Sequence, residues 1–196
     1  MTKEEFEIFW TSNYPGTLPI PNSVKIDPER WFRIHSLPGS KRYADTVEEW
    51  DILLSRQNEI ITDLLGNNAP ILFLTGDHSF EGGTELHPLN SVNSVFDFQL
   101  ISLPAIDLYK MAPEYYEQGQ YFNPVFCEET WQPKKFDNVL RDIADDQLKA
   151  MFISIESKFI IAPYDGGMDI ILDNTETRDH YKNKYQSWLS ARPDGL

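Results

Sequence analysis

The sequence lacks the cysteines that mark a disulfide framework or a zinc site. Cys127 is its single cysteine, so an internal disulfide cannot form, and zinc sites built on cysteine pairs are excluded. Cys127 lies between Phe126 and Glu128, and a neighbouring negative charge disfavours the reactive thiolate form. We therefore expect an unreactive thiol in a reducing compartment.

A long apolar run is also missing. No segment approaches the ~20 apolar residues that span a bilayer. The first ten residues, MTKEEFEIFW, carry glutamates where a secretory signal has basic residues. These features predict a cytoplasmic location and no binding to membranes.

Positive charge is scarce. The chain has 17 lysine and arginine residues against 31 aspartate and glutamate residues, which gives a net charge of -14. Such a chain repels the phosphate backbone, so we expect no nucleic-acid partner. The same charge favours rapid association with a basic protein partner, although acidity also serves simply to keep a protein soluble.

The remaining composition is that of a folded protein. Hydrophobic residues make up 41% of the chain and aromatic residues 13%, which is enough apolar surface for a buried core. A length of 196 residues without a low-complexity linker predicts a single domain over residues 1–196.

Periodicity and turn signals predict an α+β fold with about four helices and a mostly antiparallel sheet. Helices are predicted at about 2–12, between Thr46 and Gly66, and at about 138–150 and 176–190. Strands are predicted at 31–36, 69–77 and 94–103, followed by a carboxyl-terminal meander at 151–157, 158–165 and 168–173. The stretch 107–133 has no assignable pattern.

A basic stretch interrupts the acidic chain at WFRIHSLPGSKRYA, residues 31–44. It contains Arg33, Lys41 and Arg42, and Arg30 lies just before it. One interpretation is a loop that binds an anion, although the glycine and lysine order of a phosphate-binding P-loop is absent. The other is an internal clamp, in which Arg33 and Arg42 hold carboxylates such as Asp165 or Asp169, because guanidinium groups suit partly buried acids. We predict the clamp.

The segment GDHSFEGGTELHP has the residue types of an enzyme or metal site. Its candidate groups are Asp77, His78, Glu81, Glu85 and His87. Their spacing matches no strong metal motif, and the adjacent glycines favour a solvated hairpin tip. We therefore predict no catalytic residue, no bound metal, no cofactor and no enzymatic activity.

An acidic, aromatic segment is the predicted partner-binding surface. Rigid aromatic side chains are typical anchors of protein interfaces, and carboxylates around them attract a basic partner. The candidate residues are Glu114, Tyr115, Tyr116, Glu117, Tyr121, Phe122, Glu128, Glu129 and Trp131. The alternative is that these aromatic residues form the core of an irregular subregion.

The blocks RIHSLPGSKRYA and APYDGGMDIIL, with WLSARPDGL after them, resemble a family of small uncharacterised bacterial cytosolic proteins. The blocks and the helix between them cover about half of the chain, and they carry no catalytic assignment. Small, acidic, single-domain proteins of this kind are similar in general character to the immunity proteins of bacterial polymorphic or contact-dependent toxin systems.

Three functions follow from these features. The leading hypothesis is an immunity protein that neutralises a cognate basic toxin domain, such as a nuclease, by direct binding. The alternative is an enzyme that acts on an anionic small molecule through Arg33, Lys41 and Arg42 together with the loop from Asp77 to His87. A third possibility is a structural protein without a dedicated ligand.

Overall fold

One antiparallel sheet of eight strands organises the computed structural model, which describes residues 1–21, 28–81 and 89–190. The strands are β1 (Trp31–His35), β2 (Pro70–Phe80), β3 (Ile101–Ser102), β4 (Ile106–Asp107), β5 (Gln120–Thr130), β6 (Ala150–Ser154), β7 (Ile160–Tyr164) and β8 (Gly167–Ile171). Their order is β1-β8-β7-β6-β2-β5-β3, and β4 also pairs with β5. This arrangement confirms the predicted α+β class and the carboxyl-terminal meander.

Five α-helices accompany the sheet in the described part of the chain. They are α1 (Lys3–Asn13), α2 (Val47–Leu65), α3 (Leu108–Met111), α4 (Asp137–Ala144) and α5 (Thr175–Lys184). None of these helices is both long and apolar enough to cross a membrane.

The two faces of the sheet bury separate apolar clusters. On one face, α2 and α4 pack over Phe73 and Phe152. On the other, α1 places Phe6 and Trp10 one turn apart, and the Phe6 ring stacks on Phe126 at 4.4 Å. Helix α1 is fixed at its start by a capping box between Thr2 and Glu5.

The predicted helix 138–150 is too long. Helix α4 ends at Ala144, and the amides of Gln147 and Leu148 turn back to the carbonyl of Asp142. Asp146 has a φ of 57°, which a helix does not allow. Leu148 is buried in the core although it lies beyond the helix. Its position in the sequence continues the apolar spacing of α4, which is why the predicted helix extends too far.

The predicted strand 94–103 is wrong except at Ile101–Ser102. Residues 93–95 form a short 3-10 helix, and successive turns follow it up to residue 100. Phe98 packs edge-on against Phe73, whereas Phe96 is 80% exposed. The alternation of apolar and polar residues therefore reflects two turns rather than two faces of a strand.

The unassigned stretch contains one of the two longest strands, β5, despite Pro124 at its middle. The Pro124 carbonyl accepts a hydrogen bond from the Leu103 amide on the outer side of β5. The N and C=O groups of a strand residue point the same way, so the missing amide hydrogen of Pro124 also faces outward. Proline at this position therefore costs β5 no hydrogen bond to β2.

Candidate functional site

Arg33 and Asp169 form a nearly buried ion pair between adjacent strands. Arg33 on β1 lies opposite Asp169 on β8, and its Nε and Nη2 atoms donate to the two carboxylate oxygens at 2.8 Å each. The Trp31 indole donates to the same carboxylate at 2.9 Å. The exposed fractions of the Arg33 and Asp169 side chains are only 13% and 10%.

Arg42 binds the second predicted carboxylate, Asp165, in the turn between β7 and β8. Its Nε donates to Asp165 Oδ2 at 2.7 Å, and the Tyr43 hydroxyl donates to the same oxygen at 3.0 Å. The turn approaches β1 closely, because a Cβ atom on Gly167 would lie 1.9 Å from the Ile34 carbonyl oxygen. Arg42 differs from Arg33 in that its side chain is 66% exposed.

Lys41 in the basic stretch and Arg30 just before it also have acceptors within the protein. Lys41 donates to both carboxylate oxygens of Glu49 at 2.6 Å, and Arg30 Nε donates to the Leu172 carbonyl at 2.6 Å. The structure therefore brings together the four residues of the predicted clamp, as two ion pairs that join β1 and the following loop to the meander.

A charged cleft of about 270 Å³ adjoins the two ion pairs. Tyr164 forms part of its wall, with the Arg33 Cζ atom 4.5 Å from the centre of the tyrosine ring. Burial raises the pKa of Tyr164 to about 12, so the phenol is neutral at physiological pH. The opposite wall includes Asp146 and Lys149, from the connection between α4 and β6.

The predicted solvated loop after residue 76 starts later than expected. Asp77 and His78 belong to β2, where they lie opposite Asn123 and Phe122 of β5. Within residues 1–21, 28–81 and 89–190, no three histidine, cysteine, aspartate or glutamate side chains are grouped to hold a metal ion. Glu85 and His87 lie outside the described residues.

The prediction that Phe122 and Trp131 are surface anchors is wrong. Trp131 is fully buried, and its indole donates to the Thr62 hydroxyl at 2.9 Å, while Phe122 is 1% exposed. Phe122 lies in β5 and Trp131 directly follows this strand. Each of the two residues belongs to a buried apolar cluster.

Glu128 and Glu129 are also unsuited to attract a partner together. As neighbours in β5 they point to opposite faces of the sheet. Glu128 accepts from the amino group of Met1, and Glu129 accepts from Lys135 at 2.6 Å. The negative charges of these two glutamates are thus largely neutralised by cationic groups of the same chain.

The rest of the predicted surface borders β5. Glu114, Tyr115 and Glu117 are exposed, Tyr121 is half-buried, and Tyr116 packs partly against the small apolar cluster that contains Phe122. Further exposed apolar residues lie on β3 and α3 along the same edge of the sheet. The β5-edge surface, as we call it, comprises Ile101, Tyr109, Met111, Glu114, Tyr115 and Glu117.

The sequence interpretation missed Ile101, Tyr109 and Met111 as surface residues. Asp107 caps α3 by accepting from the Lys110 amide at 3.1 Å. An aspartate three residues before a lysine is a recognisable start of a short helix, and it places Tyr109 and Met111 on a turn that covers the strand edge.

Residues 24–193 match one protein-family model, which is described as a domain of unknown function (DUF3885). No curated protein and no solved structure matches the chain.

Proposed function

We propose that this chain, which belongs to the DUF3885 family, binds a basic protein partner through the β5-edge surface. The observation that carries the proposal is the exposure of Tyr115, which is 80%. Exposed glutamates lie on both sides of it in the sequence, Glu114 directly before it and Glu117 two residues after it. A large aromatic side chain in water gains free energy when a partner covers it.

The composition of the β5-edge surface is that of an interface anchor. Tyr109, Met111 and Ile101 are each about 40% exposed, so they add apolar area along the same edge of the sheet. Tyrosine and methionine are enriched at the centres of protein interfaces, whereas charged residues belong to the rim. The surface thus combines apolar anchors with a carboxylate rim.

The net charge of -14 supports a partner of opposite sign. A strongly acidic protein attracts basic proteins over several ångströms and repels acidic ones, which raises the rate of productive encounter. The charge therefore supports a basic partner, and the exposed apolar residues support the β5-edge surface as its docking site.

In its narrower form, the proposal is that the partner is a basic toxin domain that this protein neutralises as an immunity protein. The acidity of the chain and its general similarity to such proteins support this form. A toxin reading frame immediately upstream of the gene would favour it, whereas an operon of metabolic genes would favour an enzyme.

The enzymatic alternative has weaker support. A purely anionic substrate requires cations that are not already neutralised, yet Arg33, Arg42 and Lys41 each bind a carboxylate of this chain. Each bound carboxylate would repel such a substrate.

Replacing Tyr115 with alanine is expected to weaken partner binding by about 30-fold or more, which is the effect of losing an interface hot spot. The partner is first captured from a lysate on the wild-type chain, and its affinity is then measured by calorimetry. Phe96→Ala is the matched control, because Phe96 is also 80% exposed but lies outside the β5-edge surface. Equal losses in both variants, an unaffected Tyr115→Ala variant, or an acidic partner would contradict the proposal.

Reversing Glu114 and Glu117 to lysine is expected to slow association with the same partner, most strongly at low salt. Glu7→Lys with Glu156→Lys is the control, because these exposed glutamates lie elsewhere and the double variant has the same net charge. Stopped-flow association rates at low and high salt separate a local field from an effect of total charge. Identical rates for the two double variants would argue against docking at the β5-edge surface.

A further inference from the structure

The charged cleft lies where two neighbouring strands of the sheet separate. Strands β6 and β7 pair only through Phe152 with Ile161 and Ile153 with Ile160, although β6 begins at Ala150 and β7 continues to Tyr164. The pairing stops before Pro163, which has no amide hydrogen to donate. Beyond this point the strands leave a space between Lys149 on one side and Pro163 and Tyr164 on the other.

One wall of the cleft presents two oriented guanidinium groups. Arg33 and Arg42 both contact their carboxylates through Nε and Nη2, which leaves Nη1 of each residue outside the ion pair. The Tyr164 ring further restricts Arg33 by lying against its guanidinium group. Groups held in this way lose little conformational entropy when they bind a ligand.

The nearly buried position of the Arg33–Asp169 pair is hard to explain by stability alone. Replacing a buried ion pair with apolar residues of similar volume is often neutral or stabilising, because both ions lose their hydration. The pair lies at a cleft rather than in the closed core. This position is consistent with a role in binding.

The opposite wall carries one charge of each sign. Asp146 and Lys149 line the cleft, and within residues 1–21, 28–81 and 89–190 neither forms an ion pair within 4.0 Å. The pKa of Arg42 is raised mainly by its hydrogen bond to Asp165, and the charge of Asp146 is near enough to add to this effect. The Lys149 backbone is fixed, since its carbonyl accepts from the Thr75 hydroxyl at 2.7 Å. Ile143, Leu148 and Pro163 add apolar surface to the same space.

We infer that the cleft binds a small zwitterion, namely a free α-amino acid with an apolar side chain. The lining contains equal numbers of cationic and carboxylate side chains, so a ligand with both signs leaves no charge unbalanced. The ligand's carboxylate is received by the charge of Lys149, while the Nη1 atoms of the two paired arginines add hydrogen-bond donors but no net charge, and its ammonium group is received by Asp146. A volume of about 270 Å³ is below the range for drug-sized ligands and suits a molecule of amino-acid size.

This inference is independent of the β5-edge surface, and its test uses simple probes on the full chain. L-leucine is expected to raise the melting temperature by roughly 5 °C or more at a hundredfold excess over its dissociation constant. Two analogues isolate the charges: 4-methylpentanoate lacks the amino group, and isoamylamine lacks the carboxylate. Both should bind at least about tenfold more weakly, because each loses a charged hydrogen bond. Inorganic phosphate tests for a simple anion site and is expected not to compete.

Asp146→Asn and Lys149→Met are each expected to weaken binding of L-leucine by about tenfold or more in calorimetry. Asparagine tolerates the positive φ of residue 146, and both side chains are exposed, so the melting temperature of the free protein should not change. Asp145→Asn and Lys182→Met are exposed controls outside the cleft and should bind normally.

Several results would overturn the inference. These are no stabilisation by any of the twenty amino acids, unchanged affinity in both cleft variants, or binding of 4-methylpentanoate or phosphate as tight as that of L-leucine. A Tyr115→Ala variant should bind L-leucine normally, so a failure of the proposed partner surface leaves this result unaffected.

Discussion

Replacing Trp131 with alanine is expected to lower the free energy of unfolding by about 4 kcal/mol, because the truncation empties a large volume in a closed core. The Trp131 ring stacks on Phe136 at 5.3 Å and meets Phe152 edge-on at 5.5 Å. The variant also removes the hydrogen bond to the Thr62 hydroxyl. Urea unfolding followed by tryptophan fluorescence and circular dichroism measures the loss.

The matched control for Trp131→Ala is Tyr115→Ala, because both residues belong to the same acidic, aromatic segment. Tyr115 is mainly solvated, so its truncation should leave the urea midpoint nearly unchanged. Equal stability losses in the two variants would mean that the segment is one packed unit. That result would contradict its division into a buried strand and an exposed surface.

Replacing Arg33 with alanine is expected to cost a similar amount, about 3 to 5 kcal/mol, because it leaves the Asp169 carboxylate nearly buried without a counter-ion. The Trp31 indole still donates to that carboxylate, but a neutral donor cannot balance its charge. Equilibrium unfolding in urea at neutral pH provides the measurement.

A double variant, Arg33→Met with Asp169→Leu, separates the loss of a partner from the value of the pair. It removes both charges and keeps much of the apolar volume, so it should be clearly more stable than Arg33→Ala. Arg42→Ala should have a smaller effect than Arg33→Ala, since the Arg42 side chain is mainly exposed. An Arg33→Ala variant as stable as the wild type would refute the clamp.

The long-range clamp could be predicted because each of its parts has a recognisable local sequence pattern. WFRIHS alternates clearly, and the turn at Asp165 precedes an apolar strand interrupted by a single acid, Asp169. An acid that interrupts an apolar strand has few possible cationic partners in a chain with 17 lysine and arginine residues against 31 aspartate and glutamate residues. The two strands are adjacent, and Arg33 lies directly opposite Asp169.

The cleft could not be predicted, because it forms where the hydrogen-bonded pairing of β6 with β7 ends. Neither Asp146 nor Lys149 belongs to a recognisable motif, and both lie where the sequence predicts a continuing helix. The end of α4 at Ala144 depends on a backbone turn around Asp142. Leu148 is buried after this turn in a core cluster that joins distant parts of the chain, and such packing is not visible in the local sequence.

Burial within the acidic, aromatic segment was unpredictable for a related reason. Pro124 argues against a central strand, and only the hydrogen bond from the Leu103 amide to the Pro124 carbonyl shows that the proline nitrogen faces away from β2. Unless β5 is recognised as a strand, the sequence does not distinguish the buried Phe122 and Trp131 from the exposed Tyr115. Phe122 lies within β5 and Trp131 directly follows it into the core, whereas Tyr115 lies in an exposed turn before the strand.

The pairing of β1 with β8 also has a consequence for the order in which the strands assemble during folding. Trp31 and Asp169 are 138 positions apart, whereas β6, β7 and β8 follow one another through short turns. Closing so long a loop has an entropic cost that only the completed contacts offset, which is typical of slowly folding β-rich proteins. The meander can therefore assemble early, while β1 joins late in the folding reaction. The Arg33–Asp169 contact is absent until β1 joins, so a molecule bound in the cleft would slow unfolding without accelerating folding.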